Sequence, residues 1–172
     1  LLERKELTAG STWHAAGGFH TVKGETNRAA LQGYAIKLYK ELEGLTGMSC
    51  GLHHVGGVTL ADTPERMDML KAERAKHRYM GLDTQILSPA EIIEVAPATN
   101  TAGLLGGLYD PLDGHLDPSG TTHAYARAAR MNGAEIQLPT KVIETTPRAD
   151  GRWGVVTHPG TVITSAAHTS QL

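Results

Sequence analysis

Two groups near the start of the chain are of a type that does chemistry. Glu3 follows Leu1-Leu2 and precedes Arg4. An acid at the end of a strand is the residue type that binds ribose hydroxyls in a dinucleotide-binding βαβ unit. It is equally an ordinary solvated residue at a strand end. His14 stands in the run Gly10-Ser11-Thr12-Trp13-His14-Ala15-Ala16-Gly17-Gly18. An imidazole with an unprotonated ring nitrogen is a nucleophile. Gly10, Ser11 and Thr12 offer backbone N–H groups and hydroxyls to an anion such as a pyrophosphate. The small residues Ala15 to Gly18 let a flat ring system approach the backbone closely. A lone histidine is more often structural, and these small neighbours weigh against that here.

Other reactive residue types carry less. His53 and His54 are adjacent, so in a strand they face opposite sides and cannot chelate one ion together. His115 and His123 lie too far apart, and no cysteine or acid completes a zinc-like set. No metal site is read. Asp110-Pro111-Leu112-Asp113-Gly114-His115 opens like a calcium loop, but the later ligand spacing fails and it reads as a turn. Cys50 has no local sign of a nucleophile and reads as a buried thiol.

The elements that must position these groups are legible in part. Leu1-Leu2 followed by an acid reads as the tail of a strand whose start is missing. From Thr26 a helical stripe runs through Leu31, Tyr34, Ala35, Leu38 and Leu42, with Gly44 or Gly47 able to end it. Thr63-Pro64, Ser88-Pro89 and Asp117-Pro118 each set a capping side chain before a proline at the first helical position. Ser88 with Glu91 forms a capping box. These helices are expected to end near Gly81, before Pro97 and at Asn132-Gly133. Val58-Thr59-Leu60 reads as a short strand. After Gly133 the pattern turns to strands at Glu135–Leu138, Lys141–Thr145, Trp153–Thr157 and Thr161–Thr164. Turns at Asp150-Gly151 and Pro159-Gly160 join them into a meander. The expectation is an α/β chain with helices first and an antiparallel meander last, without repeat or linker.

Composition bounds the function. The 172 residues carry 16 Lys+Arg against 18 Asp+Glu, a formal net charge of -2, so the basic excess of a phosphate-neutralising nucleic-acid binder is absent. With 40% hydrophobic and 20% charged residues the chain has the material for a core. No apolar run reaches the roughly 18–20 residues of a membrane span. One cysteine excludes an intramolecular disulfide. The 20 glycines with 5% aromatics point to many tight turns, of the sort that surround a bulky cofactor or simply form loops.

Leu1-Leu2-Glu3-Arg4 followed by Leu7-Thr8-Ala9-Gly10-Ser11-Thr12-Trp13-His14-Ala15-Ala16-Gly17 closely resembles the dimethylglycine and sarcosine dehydrogenase family of flavin-dependent amine oxidoreductases. Gly107-Leu108-Tyr109-Asp110-Pro111, Asp113-Gly114-His115-Leu116-Asp117-Pro118 and the meander around Val142 also look like that family. The resemblance covers most of the chain, and the first motif is the specific one. It implies an FAD-binding Rossmann-like domain of the glutathione-reductase type, with a helical insertion and a C-terminal antiparallel β-meander. It implies a division into a cofactor-contacting strand end and loop (1–24), a helical, substrate-side insertion (25–133) and the meander (134–172).

The resemblance also implies site roles. His14 matches the histidine through which FAD is attached at the flavin 8α carbon. Glu3 and Arg4 match positions at the adenosine ribose. Gly10, Ser11, Thr12, Trp13, Ala15, Ala16, Gly17 and Gly18 match the loop along the pyrophosphate and flavin. Val142 matches a strand residue whose backbone meets adenine. The implied reaction oxidises an N-methylated glycine to an iminium, with hydride passing to flavin. The iminium then yields formaldehyde or passes a one-carbon unit to folate. An electron-accepting flavoprotein or oxygen is the implied acceptor, and the bacterial cytoplasm or the mitochondrial matrix the implied compartment.

Departures from the family pattern are part of the reading. The glycine fingerprint before Glu3 and the folate-binding module are absent, and the substrate-side catalytic residues are expected beyond Leu172. The stretch Ser165–Leu172 does not follow the family's return strand. The chain therefore reads as an internal piece of a longer protein, with Leu1-Leu2 and the sheet edges expected to be unpaired. The competing readings are a regulatory paralogue like that of pyruvate dehydrogenase phosphatase, acting through protein contact, and an inactive fragment.

Overall fold

A computed structural model of the chain describes residues 1–20, 26–158 and 160, and the backbone of 162–166. The sequence expectations at Pro159, Thr161, the tail from 167 to 172 and the 24/25 boundary fall outside the described residues. A 3-10 turn, Thr12–His14, leads into strand β1, Gly18–Phe19. Next come helix α1, Thr26–Thr46, strand β2, Gly57–Ala61, and helix α2, Pro64–Tyr79. Strand β3, Gln85–Leu87, helix α3, Pro89–Val95, and strands β4, Gly106–Asp110, and β5, Gly114–His115, follow. Helix α4, Pro118–Met131, and strands β6, Val142–Pro147, β7, Arg152–Thr157, and β8, Val162–Ala166, complete the order.

The strands form three antiparallel sheets among the described residues: β1–β5, β2–β4–β3 and the meander β6–β7–β8. The antiparallel meander comes last, as expected, and Val58–Leu60 is a strand, but the part before the meander is not mainly helical as expected. The segment read as a helical insertion carries a three-stranded sheet of its own. Its β3 is three residues long, and β4 opens on Gly106-Gly107, so neither shows the alternation that marks a strand in sequence.

The starts of α2, α3 and α4 are fixed by their caps. The Thr63 hydroxyl accepts the Arg66 N–H, and the Asp117 carboxylate accepts the Ser119 N–H. Ser88 and Glu91 close the reciprocal capping box. Gly47, at φ 66, supplies the left-handed residue after α1, its N–H donating to the Glu43 carbonyl at 2.9 Å.

Two small cores hold the layers together. Met67 and Leu70, three apart on α2, bury against Ala61 of β2 and Leu108 of β4, with Ile86 of β3 beside them. Leu42 of α1, Cys50 and Ala124 of α4 form the second, flanked by Leu38, Met48 and Ala128. Tyr39 and Tyr125 meet edge to face across the same helix pair, 6.3 Å between ring centroids. The α1 stripe is buried at Leu42 and half-buried at Leu38, whereas Leu31 and Tyr34 are exposed. The packing partner α4 meets the other end of the helix, so periodicity overstates the buried face.

Residues 135–138 are also corrected. They join no meander. Gln137 instead bridges Leu2 in parallel. The Gln137 N–H donates to the Leu1 carbonyl at 3.0 Å, and the Glu3 N–H to the Gln137 carbonyl at 3.1 Å. Leu1-Leu2 is thus paired along one side, where it was expected to be unpaired.

Candidate functional site

Glu3 and Arg4 are placed by that parallel pairing. The Thr140 N–H donates to the Glu3 carbonyl at 2.6 Å, which brings the start of β6 beside them. A depression of about 290 Å³ results, lined by Leu2, Glu3, Arg4, Thr140, Lys141 and Val142. A second, of about 310 Å³, continues from Glu3 and Arg4 along Lys5, Glu6 and the loop Thr8–Thr12. One Glu3 carboxylate oxygen accepts the Lys5 N–H at 2.8 Å, which orients the carboxylate. Arg4 has no carboxylate partner among the described residues.

The loop turns sharply at Thr8, whose φ of 71 is an expensive conformation for a β-branched residue. Beyond it the N–H groups of Gly10 and Ser11 make no backbone hydrogen bond among the described residues, and open space lies over Gly10. Free N–H groups over open space suit an anion.

Trp13 and His14 sit in the 3-10 turn, which packs on α4. Both side chains are exposed, with ring centroids 3.9 Å apart and planes tilted by 35°. The His14 imidazole makes no hydrogen bond among the described residues, so both ring nitrogens are accessible. Ala15, Ala16 and Gly18 are exposed, and Gly17 is locked beneath them. Gly17 has φ 74, and a Cβ there would overlap the Leu116 carbonyl oxygen. Its own carbonyl accepts the Leu116 N–H at 3.0 Å. The structure therefore brings Glu3, Arg4, Gly10, Ser11, Thr12 and Val142 onto one continuous groove. Trp13 to Gly18 continue the loop past its end.

A second concave region was not foreseen. A cleft of about 400 Å³ lies between α2 and the β2–β4 sheet. At its rim Asp113, buried in the turn after β4, pairs with His20 at 2.7 Å. Within it stands His77, whose Nδ1 lies 3.0 Å from the Thr84 hydroxyl. Burial pushes the His77 pKa below its ordinary value, opposed by the Glu73, Asp110 and Asp113 carboxylates. Sequence gave a signal for Asp113, through its Asp-Gly turn. It gave none for His77, whose burial follows from tertiary packing.

The other reactive types have structural places. Cys50 is fully buried, its carbonyl accepting the Asp117 N–H, and burial pushes its thiol pKa up. The His53 and His115 rings stack at 5.0 Å across an antiparallel bridge. Among the described residues no three potential ligands gather as a metal site. Nor is any described helix long and apolar enough to cross a membrane.

The profile of one protein family, described as FAD dependent oxidoreductase, matches residues 1–171. The chain belongs to that family. As a member of the FAD-dependent oxidoreductases it is 42% identical over 162 residues to mitochondrial dimethylglycine dehydrogenase of Rattus norvegicus, covering 94% of this chain and 19% of that protein. It is 36% identical over 137 residues to mitochondrial sarcosine dehydrogenase of Homo sapiens, covering 79% of this chain and 15% of that protein. The crystal structure of L-proline dehydrogenase from P. horikoshii superposes with a TM-score of 0.85 at 22% identity, over 96% of this chain and 43% of that one. That likeness shows the mixed α/β fold of FAD-dependent oxidases. The chain spans 19% and 15% of the lengths of the two curated relatives named here. Family membership implies FAD as the cofactor, and the groove's free N–H groups, oriented carboxylate and open glycine fit its adenosine diphosphate portion.

Proposed function

We propose that this chain supplies the adenosine-side groove and the flavin attachment point of an oxidoreductase acting on an N-methylated glycine, dimethylglycine or sarcosine. The observation that carries the proposal is the exposed, unbonded imidazole of His14, on the same loop whose earlier residues line the groove. Glu3 would accept hydrogen bonds from the ribose hydroxyls, with Arg4 beside it. Gly10 and Ser11 would donate N–H bonds to the pyrophosphate, with the Thr12 hydroxyl nearby. The backbone at Val142 would meet the adenine edge. Trp13, Ala15, Ala16, Gly17 and Gly18 would shape the passage to the ring system, and His14 would bond to it covalently.

The flavin supplies acceptance of the electron pair released when the amine is oxidised. This chain's own residues bind and orient. The tether prevents dissociation, and the Gly17–Leu116 lock holds the loop at a fixed height on α4. The substrate becomes an iminium that hydrolyses to formaldehyde or delivers its carbon to folate, the electrons passing on to a flavoprotein or to oxygen. Residues 1–24, 25–133 and 134–172 are proposed as the cofactor-contacting, substrate-side and meander parts. A mitochondrial setting is supported by the names of the two dehydrogenases, and the matrix is the compartment proposed.

The test is anaerobic titration of the purified full-length flavoprotein with dimethylglycine, sarcosine and glycine betaine. Bleaching of the visible flavin band by the first two and not by the quaternary amine is expected. A flavin that neither N-methylglycine bleaches would overturn the substrate assignment.

A further inference from the structure

The short ladder that follows the His14 loop sets up a pair of side chains the groove does not use. Gly18 pairs with His115 and Phe19 with Gly114, so the next opposed residues in that register are His20 and Asp113. Directly opposed residues share one face of a ladder. His20 Nδ1 accordingly lies 2.7 Å from an Asp113 carboxylate oxygen. The partners differ in exposure: the Asp113 side chain is 12% exposed and that of His20 63%. Asp113 is held in place. Its carbonyl accepts the Gly56 N–H at 2.9 Å, and Gly57 leaves room for the carboxylate, since a Cβ there would overlap Oδ2. His20 Nε2 makes no hydrogen bond among the described residues.

A carboxylate on Nδ1 fixes the tautomer of a neutral imidazole, with the proton on Nδ1 and the lone pair on Nε2. His20 thus brings an oriented proton acceptor to the cleft of about 400 Å³ between α2 and the β2–β4 sheet, which it lines together with Asp113. Arg66, Glu73, His77 and Asp110 are the other titratable or charged groups lining that cleft. The cleft has a definite place along the chain. The adenosine-side groove uses the chain up to Thr12, His14 follows, and His20 comes six residues after it, a separation of at most about 20 Å.

We propose that His20 accepts the proton of the substrate ammonium at Nε2, with Asp113 as the positioning residue that keeps that nitrogen free. The assignment rests on the N-methylglycine reading above. An N-methylated glycine carries an ammonium near neutral pH, and its nitrogen then has no electron pair with which to expel hydride from the neighbouring carbon. In the step assigned to His20 the substrate N–H bond breaks, its electron pair stays on the nitrogen, and the proton forms the Nε2–H bond. Nothing is oxidised in this step, and the hydride transfer that follows is separate from it. The resulting imidazolium stands beside the Asp113 carboxylate, which stabilises it.

Anaerobic stopped-flow reduction of the full-length flavin-loaded protein by dimethylglycine, per bound flavin and from about pH 7 to about pH 10, tests this. His20→Gln should slow reduction about a hundredfold or more at neutral pH. The loss should shrink as alkaline solution supplies the amine already deprotonated, and added imidazole should restore part of the rate to His20→Ala. Asp113→Asn should slow reduction about tenfold or more. A readout without substrate is carbethoxylation of His20 by diethyl pyrocarbonate, mapped by peptide mass: His20 should label in the native parent, and more slowly in Asp113→Asn. If Asp113→Asn fails to fold, the exposed His20 side chain still permits the His20→Gln test. A His20→Gln loss that is equal at every pH and that imidazole does not rescue would mark the pair as a structural contact and overturn the proposal, as would a native His20 that resists labelling. A parent flavin that neither N-methylglycine reduces would overturn the reaction reading and this assignment together. A parent that is reduced, with His20→Gln as fast, would overturn this assignment alone.

Discussion

Cys50 and His77 are both buried, and burial moves their pKa values in opposite directions because it disfavours the charged form of each. The Cys50 thiol is raised by desolvation, with the nearby Glu43 and Asp117 carboxylates adding to the rise and the Thr121 hydrogen bond opposing it. Native protein should therefore leave Cys50 unmodified by iodoacetamide near neutral pH, with full labelling after denaturation. Rapid labelling of native protein would contradict the assigned burial. His77 is lowered, so its neutral form belongs to the folded state. Its contribution is present above the unfolded histidine pKa of about 6.5 and is lost as pH falls below that value. Urea midpoints should decline on acidification from pH 6.5, and His77→Gln should flatten that decline. An unchanged slope would show that His77 does not drive it. At this scale the sequence was legible where chemistry is contiguous. His14 stands out because its small neighbours are adjacent in the chain. His77 does not, because its partner Thr84 reaches it only after the turn that follows α2.

Helices and strands were unequally legible for a physical reason. A capping side chain and a following proline are local, so the starts of α2, α3 and α4 could be read directly. Strands β3 and β4 take their identity from partners elsewhere: Leu108 faces Thr59 of β2 on one side and Ile86 of β3 on the other. Ser88→Ala removes the hydroxyl that accepts the Glu91 N–H and should cost about 1 kcal/mol, read as a lowered urea midpoint. Gly17→Ala should cost more, about 2 kcal/mol or above, since it adds a left-handed penalty to an overlap with the Leu116 carbonyl oxygen. If Gly17→Ala were as stable as the parent, the loop carrying His14 would not be locked on α4 as described.

Across the whole molecule the groove depends on parts far apart in sequence. Glu3 meets residues 137 and 140 through main-chain hydrogen bonds, and Val142 lies beside it for that reason. Periodicity and composition do not reveal such a pairing. The segment 135–138 has the pattern of a strand but not the address of its partner, which is why it was expected in the meander. Val142 entered as a candidate through family likeness alone, and the structure places it on the same groove as Glu3 and Arg4. Gln137→Pro removes the N–H that donates to the Leu1 carbonyl. It should open the groove and lower flavin content in the purified full-length protein, with the α2 core intact by circular dichroism. Full flavin occupancy in that variant would mean the groove is not needed.

The central claim is that His14 tethers the flavin. Acid denaturation of the full-length protein, followed by measurement of flavin fluorescence in the precipitate and the supernatant, tests it most directly, with His14→Ala alongside. The account predicts flavin retained on the denatured parent and released into solution from the variant. Flavin washing off both proteins, or staying on both, would contradict it.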